Sequence, residues 1–412
     1  MASDFVRNLI ADRLGGKKFD DNTCEYKFTK IKREKEEALI RNPNMEFIDM
    51  GVGEPDAMAD EGVVRVLSYE AKKWSNRGYS DNGIQEFKDT AVEYLKKVYK
   101  VENIDSNDEI NHTIGAKPAL AMIAQVFINP GDIMLMTIPG YFVTATYAEW
   151  LGGKVHKLPL HKENNFLPDL DKIPKGIVKK AKLLYLNYPN NPTGAVATKE
   201  FFTKVVVFAK KNNIAIVHDA AYGVLVYDGE TPLSFLSVPG AKDVGVEIHT
   251  LSKAFNMTGW RIGFIAGNKD IIKAFRIIKD NNDSGQFKPI QYAGQYAMEH
   301  PEITENTIAK YSRRLDMLVS TLKGLGFKVE KPKGSFYLYV KIPRAIPHLR
   351  VFKTASEFAE YLITQKGIVT IPWDEAGHYV RFSVTFLAYG EKEERHIMEE
   401  IYNRLKNVKF SF

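Results

Sequence analysis

A single cysteine, Cys24, occurs in 412 residues. An internal disulfide is therefore excluded, and a reducing compartment such as the cytoplasm fits the composition. No run approaches the ~18 successive apolar residues of a membrane-spanning helix. The opening Met1-Ala2-Ser3-Asp4-Phe5-Val6-Arg7 lacks the apolar core of a secretion signal. The nine histidines show no ligand spacing, so no metal is expected; His218, beside Asp219, reads as a packed strand-end residue. A large excess of one charge is also missing. The net charge is +6, basic and acidic residues interleave, and pairs such as Lys96-Lys97 and Lys210-Lys211 read as solvated faces. With no basic stripe carrying interleaved aromatics, nucleic acid is not an expected partner. Internal repeats and low-complexity tracts are absent as well.

What remains is an ordinary globular composition, 44% hydrophobic and 26% charged, on a length that suits two domains. Short apolar runs at 112–114, 133–136, 183–186, 214–217, 247–250 and 262–266 alternate with helical stretches such as Ile84 to Tyr99. Strands without polar alternation are covered on both faces, which predicts an α/β fold with a mostly parallel sheet. After Pro301 the pattern changes. A long helix (303–325) precedes segments at 327–329 and 335–340 that alternate as half-buried strands do, then a strand at 380–384 and a last helix at 392–405. These predict a smaller α+β domain. The polar residues 1–22, with Gly15-Gly16-Lys17-Lys18, read as an arm, and a helix is expected from Tyr26 until Pro43 stops it. The expected division is an arm (1–22), a small domain (23–60 plus 301–412) and a large domain (61–300).

Chemistry concentrates in a few stretches. Thr250-Leu251-Ser252-Lys253 is followed by Gly259-Trp260-Arg261, so one lysine lies among hydroxyls and a guanidinium. Hydroxyls and an arginine fork suit a phosphate, and a sequestered lysine can shed its proton and attack a carbonyl. Alone, such a string is also compatible with a surface lysine in a loop. Asn187-Tyr188-Pro189-Asn190-Asn191-Pro192-Thr193-Gly194 makes a tight turn. Asp219-Ala220-Ala221-Tyr222 closes an apolar run, and ligands gather at such carboxyl ends; Asp219 on its own could equally be a turn or cap residue. Gly115-Ala116-Lys117 sits between a strand and a helix, where backbone N–H groups can cradle an anion. Val380-Arg381-Phe382-Ser383 lies near the C-terminus.

In order and spacing these stretches resemble the class I/II aminotransferases of pyridoxal phosphate (PLP) fold type I, from about Tyr26 to the last helix. The resemblance implies a PLP-binding large domain on a mostly parallel seven-stranded sheet, a smaller α+β domain, and a homodimer in which the arm wraps the partner subunit. It assigns Lys253 as the amine that condenses with the cofactor aldehyde and later moves the substrate proton. Asp219 pairs with the pyridine nitrogen, and Tyr222 and Asn191 donate to the phenolic oxygen. Ala116, Lys117, Thr250, Ser252 and Arg261 form the phosphate cup, joined by Tyr79 of the neighbouring subunit. Tyr141 stacks on the ring, with a core tyrosine as the alternative. Arg381 grips the substrate α-carboxylate with two parallel bonds, and Gly53 offers it a backbone contact.

Two features are similar to LL-diaminopimelate aminotransferases. Tyr26-Lys27-Phe28-Thr29-Lys30-Ile31-Lys32-Arg33 resembles their entry segment, whose tyrosine contacts substrate across the subunit boundary. Gly78-Tyr79-Ser80-Asp81-Asn82-Gly83 resembles their acidic loop, so that Asp81 would attract a distal ammonium; a loop residue that merely meets solvent is the other reading. The turn Gly53-Glu54-Pro55-Asp56 looks more like aspartate and aromatic aminotransferases. The expected reaction is transamination between LL-diaminopimelate and 2-oxoglutarate in lysine biosynthesis, with Lys117 available for the distal carboxylate of glutamate. The alternatives are an aspartate, alanine or aromatic aminotransferase, or a PLP-dependent lyase.

Overall fold

The computed structural model describes residues 6, 8–16, 19 and 27–412. Tyr26 and Cys24 lie outside the described residues. Within the expected arm, Asp12–Leu14 form a short 3-10 turn. The first helix runs Lys27–Arg41, and strand β1 (Ile48–Asp49) follows it.

Seven strands make the main sheet: β2 (Ile110–Thr113), β3 (Ile133–Ile138), β4 (Lys154–Pro159), β5 (Ala181–Asn187), β6 (Ala215–Asp219), β7 (Gly245–Thr250) and β8 (Gly263–Gly267). Their order across the sheet is β2-β8-β7-β6-β5-β3-β4. β4, β3, β5, β6 and β7 run parallel, whereas β8 is antiparallel to both of its neighbours. Every residue of β3 is buried, as are all but one in β5, because helices cover both faces. The helix Gln85–Tyr99 buries Phe87, Ala91, Tyr94, Leu95 and Tyr99, spaced to fall on one side. The helix Lys199–Asn212 begins at Thr198, whose hydroxyl accepts the Phe201 N–H at 3.1 Å. It buries Phe202 in an edge-to-face pair with Phe235; full burial of such a side chain stabilises the fold by about 1.5–3 kcal/mol.

The rest of the chain forms smaller sheets. β9 (Tyr337–Lys341) is followed by the two-residue pair β10 (Ala345–Ile346) and β11 (Arg350–Val351), then β12 (Ile368–Val369), β13 (Ile371–Trp373) and β14 (Tyr379–Ser383). β13, β14 and β9 pair antiparallel, and β1 pairs in parallel with β12. The pairing of β1 with β12 brings the N-terminal segment to the region beyond residue 301. One expectation is corrected. Residues 327–329 are not a strand. Phe327 and Val329 are buried, and Phe327 packs against Phe358, Phe410 and Phe412, so alternation there reports burial without a pairing neighbour. Among the described residues, no helix is long and apolar enough to cross a membrane, and no acidic, histidine or cysteine cluster could hold a metal ion.

Candidate active site

At the carboxyl ends of β5, β6 and β7 lies a cavity of about 280 Å³. Parallel strands deliver side chains there because the crossing helices leave the strand ends open. Gly53, Ala116, Lys117, Tyr141, Asn191, Asp219, Tyr222, Thr250, Ser252, Lys253, Arg261 and Arg381 all line this one space.

Lys253 follows β7 on a turn. Its Nζ donates to the Gly53 carbonyl at 2.9 Å. Lys253 as a whole is half-buried. Burial lowers its pKa to about 8; Glu54 opposes the shift and the Arg261 and Arg381 charges add to it. Such an amine carries a minor but appreciable neutral fraction near physiological pH, where an ordinary surface lysine has almost none.

Asp219 ends β6, buried. Tyr185 donates its hydroxyl to Oδ2 at 2.9 Å, the Ala221 N–H donates to Oδ1 at 3.1 Å, and Asn187 Nδ2 holds the Asp219 carbonyl at 2.9 Å. Burial pushes the carboxyl pKa up, although Tyr185 and the Ala221 N–H favour the anion. A cation placed against it would offset the burial. Tyr222, three residues on, meets Tyr337 hydroxyl to hydroxyl at 3.1 Å.

An anion cup stands apart from this carboxylate. Thr250 Oγ1 donates to Ser252 Oγ at 2.9 Å, and Arg261 Nη1 reaches Ser252 Oγ at 3.4 Å while bonding the Thr258 carbonyl at 2.8 Å. The helix Ala116–Phe127 starts beside them, so Ala116 and Lys117 lie in its first turn rather than in a preceding loop. Gly115 precedes it with φ +74°, and a Cβ there would come 2.6 Å from Arg261 Nη2. Only glycine lets the helix N-terminus and the guanidinium converge.

Across the cavity, Arg381 on β14 is buried. Its Nη1 donates to Asn191 Oδ1 at 3.0 Å and its Nη2 to the Gly51 carbonyl at 2.6 Å, and the guanidinium lies 4.0 Å over the Tyr337 ring. A Cβ on Gly53 would sit 1.9 Å from the Tyr337 hydroxyl, so the 51–53 segment can lie this close only with glycine there.

PLP, the cofactor implied by the sequence resemblance, fits these residues. The cup carries the donors a phosphate needs, Asp219 can meet a pyridinium, and Lys253 supplies an amine held by a neutral carbonyl. Tyr79 and Asp81 are not among the groups lining this cavity. Tyr79 is 82% exposed, and Asp81 sits on a loop whose backbone is tied down by the Lys279 amine on its carbonyl at 2.6 Å. Three groups lie beyond the sequence reading. Tyr185 and Tyr337 look, in sequence, like core tyrosines of buried strands. Glu247 receives His218 Nδ1 at 2.7 Å, His249 Nε2 at 2.6 Å, the Ser234 hydroxyl and the Phe235 N–H. His218 is thus a packed strand residue, set between the Phe202 and Phe235 rings. An acidic residue between histidines in a buried run is the available signal for Glu247.

A model of the family described as aminotransferase class I and II matches residues 45–400. The chain is 58% identical to the LL-diaminopimelate aminotransferase of Methanocaldococcus jannaschii, with 99% of each chain covered. It is 55% identical to that of Methanococcus maripaludis, again over 99% of each. Among solved structures it is similar to substrate-bound BacF from Bacillus subtilis, with a TM-score of 0.87, 32% identity and 98% of each chain covered.

Proposed function

The chain belongs to the class I and II aminotransferases, which use PLP to move amino groups between amino acids and 2-oxo acids, and we propose that its own pair is LL-diaminopimelate and 2-oxoglutarate, in lysine biosynthesis. The substrate assignment is carried by the 58% identity to an LL-diaminopimelate aminotransferase over 99% of both chains. Within it, Lys253, Asp219 and Tyr222 are the catalytic groups. Ala116, Lys117, Tyr141, Asn191, Thr250, Ser252 and Arg261 hold the cofactor, and Arg381, Gly53 and Asn191 the substrate. Tyr79 and Tyr26 act across the boundary of a homodimer, Asp81 attracts the distal ammonium, and a reducing cytoplasm is the compartment.

When bound, PLP supplies an aldehyde that condenses with amines and a protonated ring that takes up the electron pair left by a departing Cα proton. The protein supplies the remaining conditions. Asp219 would meet the ring nitrogen with a carboxyl group whose anion Tyr185 and the Ala221 N–H favour against the burial that raises its pKa. Arg381 has a planar fork for the α-carboxylate, and its two present acceptors, Asn191 Oδ1 and the Gly51 carbonyl, fix the fork's plane. Lys253 is set between Gly53 and the cavity, and its depressed pKa makes the neutral amine, the form that can accept a proton from the substrate Cα, more accessible than in an ordinary lysine.

The test follows the cofactor's visible absorbance after mixing the holoenzyme with a panel of single amino donors. LL-diaminopimelate and glutamate should discharge it rapidly, and aspartate, alanine and tyrosine slowly. Rapid discharge by aspartate or tyrosine with none by LL-diaminopimelate would reject the substrate assignment while leaving the transaminase intact.

A further inference from the structure

The carboxylate grip is assembled from two distant segments, and one buried arginine spans their supports. Arg314 lies on the helix Ile303–Gly324 and is fully buried. Its guanidinium directs its donors to three places. Nη2 bonds Asp56 Oδ2 at 2.8 Å and the Ala388 carbonyl at 3.3 Å. Nη1 bonds the carbonyls of Val384 and Phe386 at 3.0 and 2.9 Å. Nε bonds Glu394 Oε1 at 2.9 Å, on the last helix. All five N–H groups of an arginine are thereby used, which a lysine cannot reproduce. Lys310, one turn earlier, takes the other oxygen of Asp56 at 2.7 Å.

Asp56 ends the turn that begins at Gly53, and residues 384–388 directly follow the strand that carries Arg381. The same two segments are laced together beside the cavity. The Ser383 N–H donates to the Met50 carbonyl at 2.7 Å, and Thr385 Oγ1 to the Val52 carbonyl at 2.7 Å. The Ser383 bond is a backbone one and the Thr385 bond comes from a side chain, so the two segments are joined both ways. Gly53 in turn holds Lys253 through its carbonyl. The chain of contacts therefore runs from Arg314 through Asp56 to Gly53 and Lys253, and from Arg314 through the 384–388 carbonyls to Arg381.

We infer that Arg314, through Asp56, is a positioning residue that fixes the separation of Gly53 and Arg381 and so sets how well the two grip the substrate carboxylate. This rests on the reading that Arg381 and Gly53 receive that carboxylate. Neither Arg314 nor Asp56 lines the cavity, and neither belongs to the phosphate cup, so their loss acts on substrate geometry and leaves cofactor binding alone. Misplacement of a binding group raises KM for every substrate that uses it.

The experiment compares Asp56→Asn, Arg314→Lys and Arg381→Lys in the PLP-loaded enzyme. Cofactor content is read from the visible absorbance, melting temperature from a thermal scan, and KM and kcat from both the amino donor and 2-oxoglutarate. Asp56→Asn, which keeps the side-chain shape, is expected to raise both KM values about tenfold, with full cofactor content and kcat changed less than threefold; this is roughly the effect of one mispositioned carboxylate contact. Arg314→Lys should do the same or more, and where it fails to fold Asp56→Asn decides. Unchanged KM values in Asp56→Asn overturn the inference. So does a loss of cofactor content that accompanies the rise in KM, which marks a general structural role. Arg381→Lys separates the two levels. If it raises KM while Asp56→Asn does not, the positioning role alone fails; if it leaves KM unchanged, the carboxylate reading fails and takes the inference with it.

Discussion

A buried amine beside two guanidinium groups loses its proton early. With burial as the main cause, Lys253 sits at a pKa of about 8, below the ordinary lysine value. The sign is fixed by what burial penalises, which is the cation. The neutral, attacking form therefore predominates above a pH of about 8, well before an ordinary lysine loses its proton. Recombination of the cofactor-free enzyme with PLP should accelerate with pH to a midpoint of about 8, measured by stopped-flow absorbance; a midpoint at the ordinary lysine value would contradict the buried setting. Tyr185 offers a second test. Its hydroxyl is bonded to Asp219 at 2.9 Å, and Tyr185→Phe removes only that donor. A hydrogen bond to a charged group contributes about 1.5–3 kcal/mol, so kcat should fall roughly tenfold or more, with the melting temperature little changed. An unaltered kcat would show that Asp219 does not need it. Lys253, Asp219 and Arg381 could be singled out in the sequence because the order and spacing of their motifs resemble one family, and the structure brings all three to one cavity. Tyr185 could not be, because in a strand buried on both faces no alternation tells which side chains reach the site.

At the scale of single elements, the start of the helix Ala116–Phe127 is the most sensitive point. Gly115→Ala would force a Cβ against Arg261 at a backbone angle of φ +74°. With ψ at 171° this is a backbone region open essentially to glycine, and another residue there costs about 1–3 kcal/mol, before any displacement of the guanidinium. The dissociation constant for PLP is expected to rise roughly tenfold, read by absorbance titration of the cofactor-free protein; equal affinity would remove Gly115 from the phosphate cup. The long periodic helices and the buried strands were readable, with boundaries shifting by a residue or a few. The edge strand β4 was not, since Lys154–Pro159 is largely polar and partly exposed, as an outer strand has to be. The antiparallel direction of β8 leaves no trace in composition. At 327–329 the period of two was real, but it recorded which side chains turn inward and said nothing about hydrogen-bonding neighbours.

For the whole molecule, we propose that residues 61–300 carry the cofactor and that 23–60 with 301–412 complete the substrate side. The exposed Tyr79 leads to a prediction about assembly. In a symmetric dimer each site would borrow this residue from the other subunit. Tyr79→Ala and Lys253→Ala should each be weakly active or inactive alone. Unfolded and refolded together, they should regain activity, because one site of each mixed dimer then has both groups intact. No recovery in verified mixed dimers would end the cross-subunit role. The bond from Arg381 to the Gly51 carbonyl joins positions 330 residues apart in sequence. During synthesis, residue 51 leaves the ribosome long before residue 381 exists, and domains fold roughly in the order they emerge. A growing chain can build most of the main sheet early, yet on the proposed roles it could not grasp an amino acid until the segment that carries Arg381 is made. On those roles, a product that stops short of Arg381 would lack the substrate grip whatever became of its cofactor cup.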